Sequence, residues 1–230
     1  MRFLRITLAA ACAAAVLTLL ATANAGAATP PRASWPRVVP AEASFVQGLP
    51  NTAVDVYLNG TEVVQDLGFT GVVGPLPLLP GHYHIAVRVH GTPQSTPPLL
   101  KGNIWLRRGD NVTIVADLDS AGNPALTKFW NPVAALAKGR AELVVRNVAE
   151  DPGFNVYASG LRIFRDLTNP NGGRIRLPSE WIRLRMTDFG SKINVIGPFP
   201  LRLHSQTVTI VYAIGSPTTL TTVEQTYSTN

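Results

Sequence analysis

The sequence predicts an all-β fold of two tandem antiparallel β-sandwiches, and two observations carry the prediction. One stretch occurs twice: Ala53 to Leu67 reads AVDVYLNGTEVVQDL, and Phe154 to Leu167 reads FNVYASGLRIFRDL. Val56-Tyr57 answers to Val156-Tyr157, Gly60 to Gly160, and Asp66-Leu67 to Asp166-Leu167. Pairing Leu79-Pro80 with Leu177-Pro178, and Val112-Thr113-Ile114-Val115 with Val208-Thr209-Ile210-Val211, extends the repeat across each half. The composition is the second observation. With 46% hydrophobic and 15% charged residues the chain can bury a core, and 19 Gly and 19 Pro among short Val/Ile/Leu/Thr runs favour strands and turns over helices.

The N-terminus reads as a secretory signal peptide over residues 1–25. Arg2 and Arg5 precede an apolar run from Ile6 to Ala23 that closes on Ala23-Asn24-Ala25, a fit for cleavage after Ala25. The competing reading is a retained membrane anchor. Cys12, the only cysteine, falls inside this run, so the exported chain forms no disulfide and its cores must hold unaided. A lipoprotein reading of Cys12 is weak, because Ala9 stands where Leu is wanted. No later run of membrane length follows, so the mature chain is expected to have no stable membrane insertion. Removing Arg2 and Arg5 from the 20 basic residues leaves a mild excess over the 14 acidic ones, too small to argue for nucleic acid.

Residues 26–41, rich in Ala and Pro, read as an extended linker. The first sandwich, 42–132, is expected to begin with Ser44 to Leu49 and continue through Val54 to Leu58. Asn59-Gly60 tolerates the positive φ of a two-residue hairpin, which sends the chain back through Glu62-Val63-Val64. Leu78-Leu79-Pro80-Gly81 reads as a turn, and His82 to Val89 as an alternating strand with one wet face. Strands follow at Leu99 to Leu106 and Asn111 to Ala116, then a hairpin-like strand within Ser120 to Pro132 whose aromatics cap the core. Residues 133–139 read as a connector with a helical turn or two, and 140–230 as the second sandwich on the same plan. About seven strands per copy suit an immunoglobulin-like sandwich, although no cysteine pair joins the sheets.

The runs AVDVYLNG, VTIVADLDSAGNPALTKF, RAELVVRNVAEDPGFNVYASG and VTIVYAIGSPTTLTTVEQT resemble the bacterial domain of unknown function 4397 family, as two tandem copies of the actinobacterial type. The resemblance implies an extracellular immunoglobulin-like module and transfers no catalytic residue. Phe154-Asn155, where the family pattern has Val-Asp, and Ser179-Glu180 after Leu177-Pro178, where it has Gly, depart from the family and suggest a diverged second copy.

Four patterns are candidates for chemistry. Arg174 and Arg176, then Arg183 and Arg185, alternate with apolar residues, and if their strands are neighbours they form a cationic ladder for the carboxylates or phosphates of envelope polymers. His82 and His84 share a strand face and could start a metal site, weighed against a solvated face with His90 beyond the strand's end. Asp117 and Asp119 resemble the opening of a calcium loop, but Ala121 replaces an oxygen ligand and an Asx turn serves equally. Trp35, Trp105, Trp130 and Trp181 could stack on sugars or fill a core. No serine elbow accompanies the histidines, so no catalytic residue and no cofactor are expected. The expected function is a non-catalytic, secreted or cell-surface structural or adhesive module that contacts an envelope polymer or an extracellular protein. The alternative is an extracellular carrier of a small ligand.

Overall fold

The computed structural model describes residues 39–151, 153–190 and 193–229. The expected signal peptide, the linker up to residue 38, Cys12 and Trp35 lie outside them. In the first half the chain forms β1 (Ala41–Gln47), β2 (Val54–Leu58), β3 (Thr61–Leu67), β4 (Val72–Leu78), β5 (Gly81–Val89), β6 (Leu100–Leu106), β7 (Asn111–Leu118) and β8 (Pro124–Trp130). The second half repeats the series as β9 (Arg140–Ala149), β10 (Phe154–Ala158), β11 (Leu161–Leu167), β12 (Gly172–Pro178), β13 (Trp181–Asp188), β14 (Asn194–Arg202), β15 (Thr207–Gly215) and β16 (Thr221–Ser228). Each half is a sandwich of two four-stranded sheets with identical strand order: β4-β1-β7-β8 over β3-β2-β5-β6, and β12-β9-β15-β16 over β11-β10-β13-β14. The all-β tandem sandwich is therefore as expected.

Alternation explains the cores. Val54, Val56 and Leu58 of β2 face Phe45 and Ile114 across the first sandwich. Phe154 and Val156 of β10 face Leu143 and Val211 across the second. The predicted hairpin turns form with positive φ at Asn59 (50°) and Gly60 (83°), and again at Ser159 (48°) and Gly160 (88°). Asp55 receives the Asp66 amide at 2.8 Å, and Asn155 receives the Asp166 amide at 3.4 Å. The departure from Asp to Asn in the second copy thus keeps the same backbone contact, an acceptor held against the bulge that follows each hairpin.

Three expectations need correction. The sheets are not purely antiparallel: β1 runs parallel to β7, and β9 parallel to β15, because four of the five strands between each pair lie in the opposite sheet before the chain returns. The connector has no helical turn. Leu136 is buried, its amide donates to Thr229 Oγ1 and its carbonyl accepts from Gln206 Nε2, so its polar groups are spent on the second sandwich. The region around Leu78 is not only a turn, since β4 occupies Val72–Leu78 despite Pro75 and Pro77. It lies at a sheet edge, where a missing amide costs no ladder bond.

The repeat is also displaced by one residue in two places. Glu42 lies opposite Asn111, and its counterpart Glu142 opposite Val208, so Asn111 rather than Val112 answers to Val208. Likewise Ala41 faces Leu78 and Ala141 faces Leu177, so Leu78 rather than Leu79 answers to Leu177. A shift of one exchanges the two faces of a strand. In the corrected register Ile114 matches Val211 in the cores, and Val115 matches Tyr212 outside them.

That outer face is buried too. Val46 and Val115 of the first half pack with Val144, Val148, Val208, Ile210, Tyr212 and Ile214 of the second, so the equivalent sheets of the two sandwiches meet face to face. The approach at Gly48 is tight: a Cβ there would lie 3.2 Å from Ile214 and 3.1 Å from the Ala116 carbonyl, so either neighbour would have to yield by a few tenths of an ångström. At one end the interface turns polar around Arg146, which is 3% exposed. Its Nη1 donates to Asn131 Oδ1 (2.9 Å) and Tyr212 Oη (2.8 Å), and its Nη2 to the Trp130 carbonyl (3.2 Å). Its guanidinium lies 4.3 Å from the Phe129 ring centroid and 5.3 Å from that of Tyr212. The network continues through Asn131 Nδ2 to Thr113 and Tyr227, and from Thr113 to Gln225. Phe129 therefore serves the interface, while Trp130 is 56% exposed and caps no core.

Candidate functional site

The four-arginine ladder does not form. β12 is the edge of one sheet of the second sandwich and β13 lies in the other, so the turn at Ser179-Glu180 carries the chain across the sandwich. Arg174 and Arg176 instead bracket the buried Glu142, with Nη1 3.8 Å from Oε1 and Nε 3.3 Å from Oε2. In the first sandwich the corresponding positions are Pro75 and Pro77, and Glu42 accepts from Asn111 Nδ2 at 2.7 Å. One copy thus protects its edge with proline and the other with arginine.

Arg183 and Arg185 belong to a different surface, the outer face of sheet β11-β10-β13-β14. Ile182, Leu184 and Met186 point into the core, so Trp181, Arg183 and Arg185 point out. Pairing registers define the rest of that face. Tyr157 lies opposite both Arg185 and Arg162, Arg183 opposite Pro200, and Trp181 opposite Arg202. The Arg185 guanidinium stands 4.2 Å from the Tyr157 ring centroid and that of Arg202 5.8 Å from the Trp181 ring. The two rings pack against these guanidiniums and help to orient them on the sheet face. The face therefore carries Arg162, Arg183, Arg185 and Arg202. Sequence reading missed Arg162 and Arg202, whose only signal is the position opposite Tyr157 and Trp181 once the registers are known.

The same rows on the first sandwich carry other chemistry. Tyr57 lies opposite Glu62 and Ala86, His84 opposite Asn103, and His82 opposite Trp105. Tyr57 Oη donates to Glu62 Oε2 at 2.7 Å. Where one sheet presents four arginines, its counterpart presents a carboxylate, a histidine, an alanine and a tryptophan.

His82 and His84 do share a face, with ring centroids 4.9 Å apart, and His84 Nδ1 lies 2.6 Å from Asn103 Oδ1. His90 does not join them: its Nδ1 is 2.8 Å from Asp55 Oδ1, and this contact raises the imidazole above its ordinary pKa. Burial works against the Asp55 charge, but the Asp66 amide and the His90 contact outweigh it and leave that carboxyl below its usual range. Among the described residues no group of three His, Cys, Asp or Glu side chains comes together to hold a metal.

Asp117 and Asp119 separate as well. Asp119 closes an Asx turn, its Oδ1 accepting the Ala121 and Asn123 amides at 2.9 Å each, which holds its pKa below the carboxylate norm. Asp117 is fully buried, accepts from Thr127 Oγ1 at 2.9 Å through Oδ2, and has no hydrogen-bond partner at Oδ1. Burial pushes its pKa well up. A carboxyl raised in the folded state binds its proton more tightly there, so its contribution is full below pH 3.8 and is lost as pH rises through the folded value. Asp117→Asn is expected to raise the unfolding free energy at pH 7 and to flatten its fall as pH rises above 3.8, as denaturant titrations would show. A variant less stable than wild type at pH 7 would contradict this.

No curated protein matches the chain. Among solved structures it is similar to a chain described as "The Bacillus anthracis TIE protein", with 14% identity, coverage of 81% of this chain and 34% of that one, and a TM-score of 0.25. The chain also matches the family described as "Domain of unknown function (DUF4397)" over residues 41–169, which span the first sandwich and run on past β11. That match takes in more than half of the sequence, and the chain belongs to this family.

Proposed function

We propose that the chain is an exported, non-catalytic module that attaches to anionic polymers of the cell envelope through the arginine-bearing face of its second sandwich. The observation that carries the reading is the gathering of Arg162, Arg183, Arg185 and Arg202 on one face of paired strands, with Arg185 against Tyr157 and Arg202 against Trp181. Planar guanidiniums pair bidentately with carboxylates and phosphodiesters. Their spread across a flat sheet suits a repeating polymer better than a single small anion. The signal-peptide reading of residues 1–25 supplies the route to that partner. The carrier reading is weaker, since the core side chains of both sandwiches form continuous packed clusters.

Co-sedimentation with purified cell envelope tests the proposal. Wild type is expected to bind at low ionic strength and to be released as salt rises, because exposed charges are screened beyond ~10 Å at 0.1 M. The variant Arg162→Gln/Arg183→Gln/Arg185→Gln/Arg202→Gln should stay in the supernatant. Equal sedimentation of the two, or none by wild type, would overturn it.

A further inference from the structure

The first sandwich carries an unassigned groove between its own edge strands. Trp105 on β6 and Trp130 on β8 are 64% and 56% exposed, and both line this cleft of ≈ 480 Å³ together with Asn103, Arg107, Asp110 and Lys128. β6 and β8 are edges of opposite sheets, and Lys128 Nζ donates to the Asn103 carbonyl at 3.0 Å, tying the two walls together. Two exposed indoles in one cleft leave a large apolar area wet, which a folded chain ordinarily avoids unless something covers it.

We infer that the Trp105–Trp130 cleft is a saccharide-binding site for an oligosaccharide segment of an extended glycan. A pyranose presents one face of C–H groups and a rim of hydroxyls. Flat indoles cover the first, and amide, carboxylate, ammonium and guanidinium groups match the second. A mixed rim of Asn103, Asp110, Arg107 and Lys128 fits hydroxyls, which both donate and accept, better than it fits an apolar surface or a pure anion. The walls are held in place: Trp130 lies in the β7–β8 ladder opposite Val112, its carbonyl receives Arg146 Nη2, and the His82 ring lies 6.2 Å from Trp105. The cleft does not end at Trp130, which also lines a second groove of ≈ 460 Å³ that reaches Gly173 and Arg174. A glycan passing from Trp105 over Trp130 therefore arrives at Arg174, where an acidic substituent would be favoured. This site lies apart from the arginine face of the second sandwich, so either can fail without the other.

Titration of the full chain with chitohexaose, maltohexaose and an oligogalacturonate, followed by tryptophan fluorescence and calorimetry, tests the inference. At least one probe is expected to bind. Trp130→Ala and Trp105→Ala should each weaken it by about tenfold or more, the size of an aromatic anchor's loss. Trp105→Phe should keep part of the affinity, and Trp181→Ala on the other face should keep it all. If the oligogalacturonate is preferred, Arg174→Gln should remove the preference. Binding by none of the three probes, or equal binding by wild type and by a folded Trp105→Ala/Trp130→Ala variant, would overturn the site.

Discussion

Arg146→Ala is expected to lower the unfolding free energy by about 3–5 kcal/mol, the range for deleting a large, fully packed side chain. In a domain of this size that corresponds to a fall in melting temperature of roughly 6–20 °C. The cause is local. Arg146 is a buried cation held by neutral groups: Asn131 Oδ1, Tyr212 Oη, the Trp130 carbonyl and two aromatic rings. Burial lowers its pKa, and burial likewise pushes the Tyr212 phenol up to about 12, so Tyr212 stays neutral and can donate to Gln225 Oε1 at 3.1 Å. Alanine would leave a void between the two sandwiches and strip one donor from each of three acceptors. Arg146→Met refills much of that volume without a charge and should recover part of the loss. Equal damage from both substitutions would place the effect in the hydrogen bonds, and no damage from either would refute a structural role.

Separating the halves is expected to cost more, and unequally. A second half expressed alone would expose Val144, Val148, Val208, Ile210, Tyr212 and Ile214 on one contiguous face beside Arg146. At about 1.5–3 kcal/mol for each large apolar side chain returned to water, six amount to roughly 9–18 kcal/mol. Whole domains have only about 5–15 kcal/mol of stability. Residues 139–230 should therefore aggregate or self-associate. Residues 39–132 lose only two buried side chains there, Val46 and Val115, with the partly buried Phe69, Val72 and Phe129, and should remain the more soluble fragment. Sedimentation velocity of the two fragments would decide, and a monomeric, cooperatively folding second half would contradict the face-to-face interface.

The strand plan was legible because its signals are local. Asn59-Gly60 marks a hairpin by backbone sterics alone, and the alternation in β5 shows one wet face. The register of the repeat was not legible, because β7 and β15 are buried on both sides, so that their polar residues, Thr113 and Thr209 among them, mark no solvent face from which to count. For the same reason the strands could not announce that their second face meets the other sandwich. β4 was hidden by Pro75 and Pro77, which only an edge position excuses. The arginine ladder failed on topology: a short turn between two alternating strands looks the same whether it closes a hairpin or crosses from one sheet to the next. Two of its members, Arg183 and Arg185, still led to the charged face, while Arg174 and Arg176 proved to be the partners of Glu142.

The most direct measurement is the salt dependence of binding to purified envelope polymer for three proteins: wild type, the Arg162/Arg183/Arg185/Arg202→Gln variant, and a variant of equal charge with Lys101, Arg108, Lys138 and Arg140 replaced by Gln. If the sheet face is the site, the first variant loses affinity and most of its salt slope while the second stays close to wild type. If both variants weaken equally, binding follows net charge alone, and the arginine face is not an envelope-binding site.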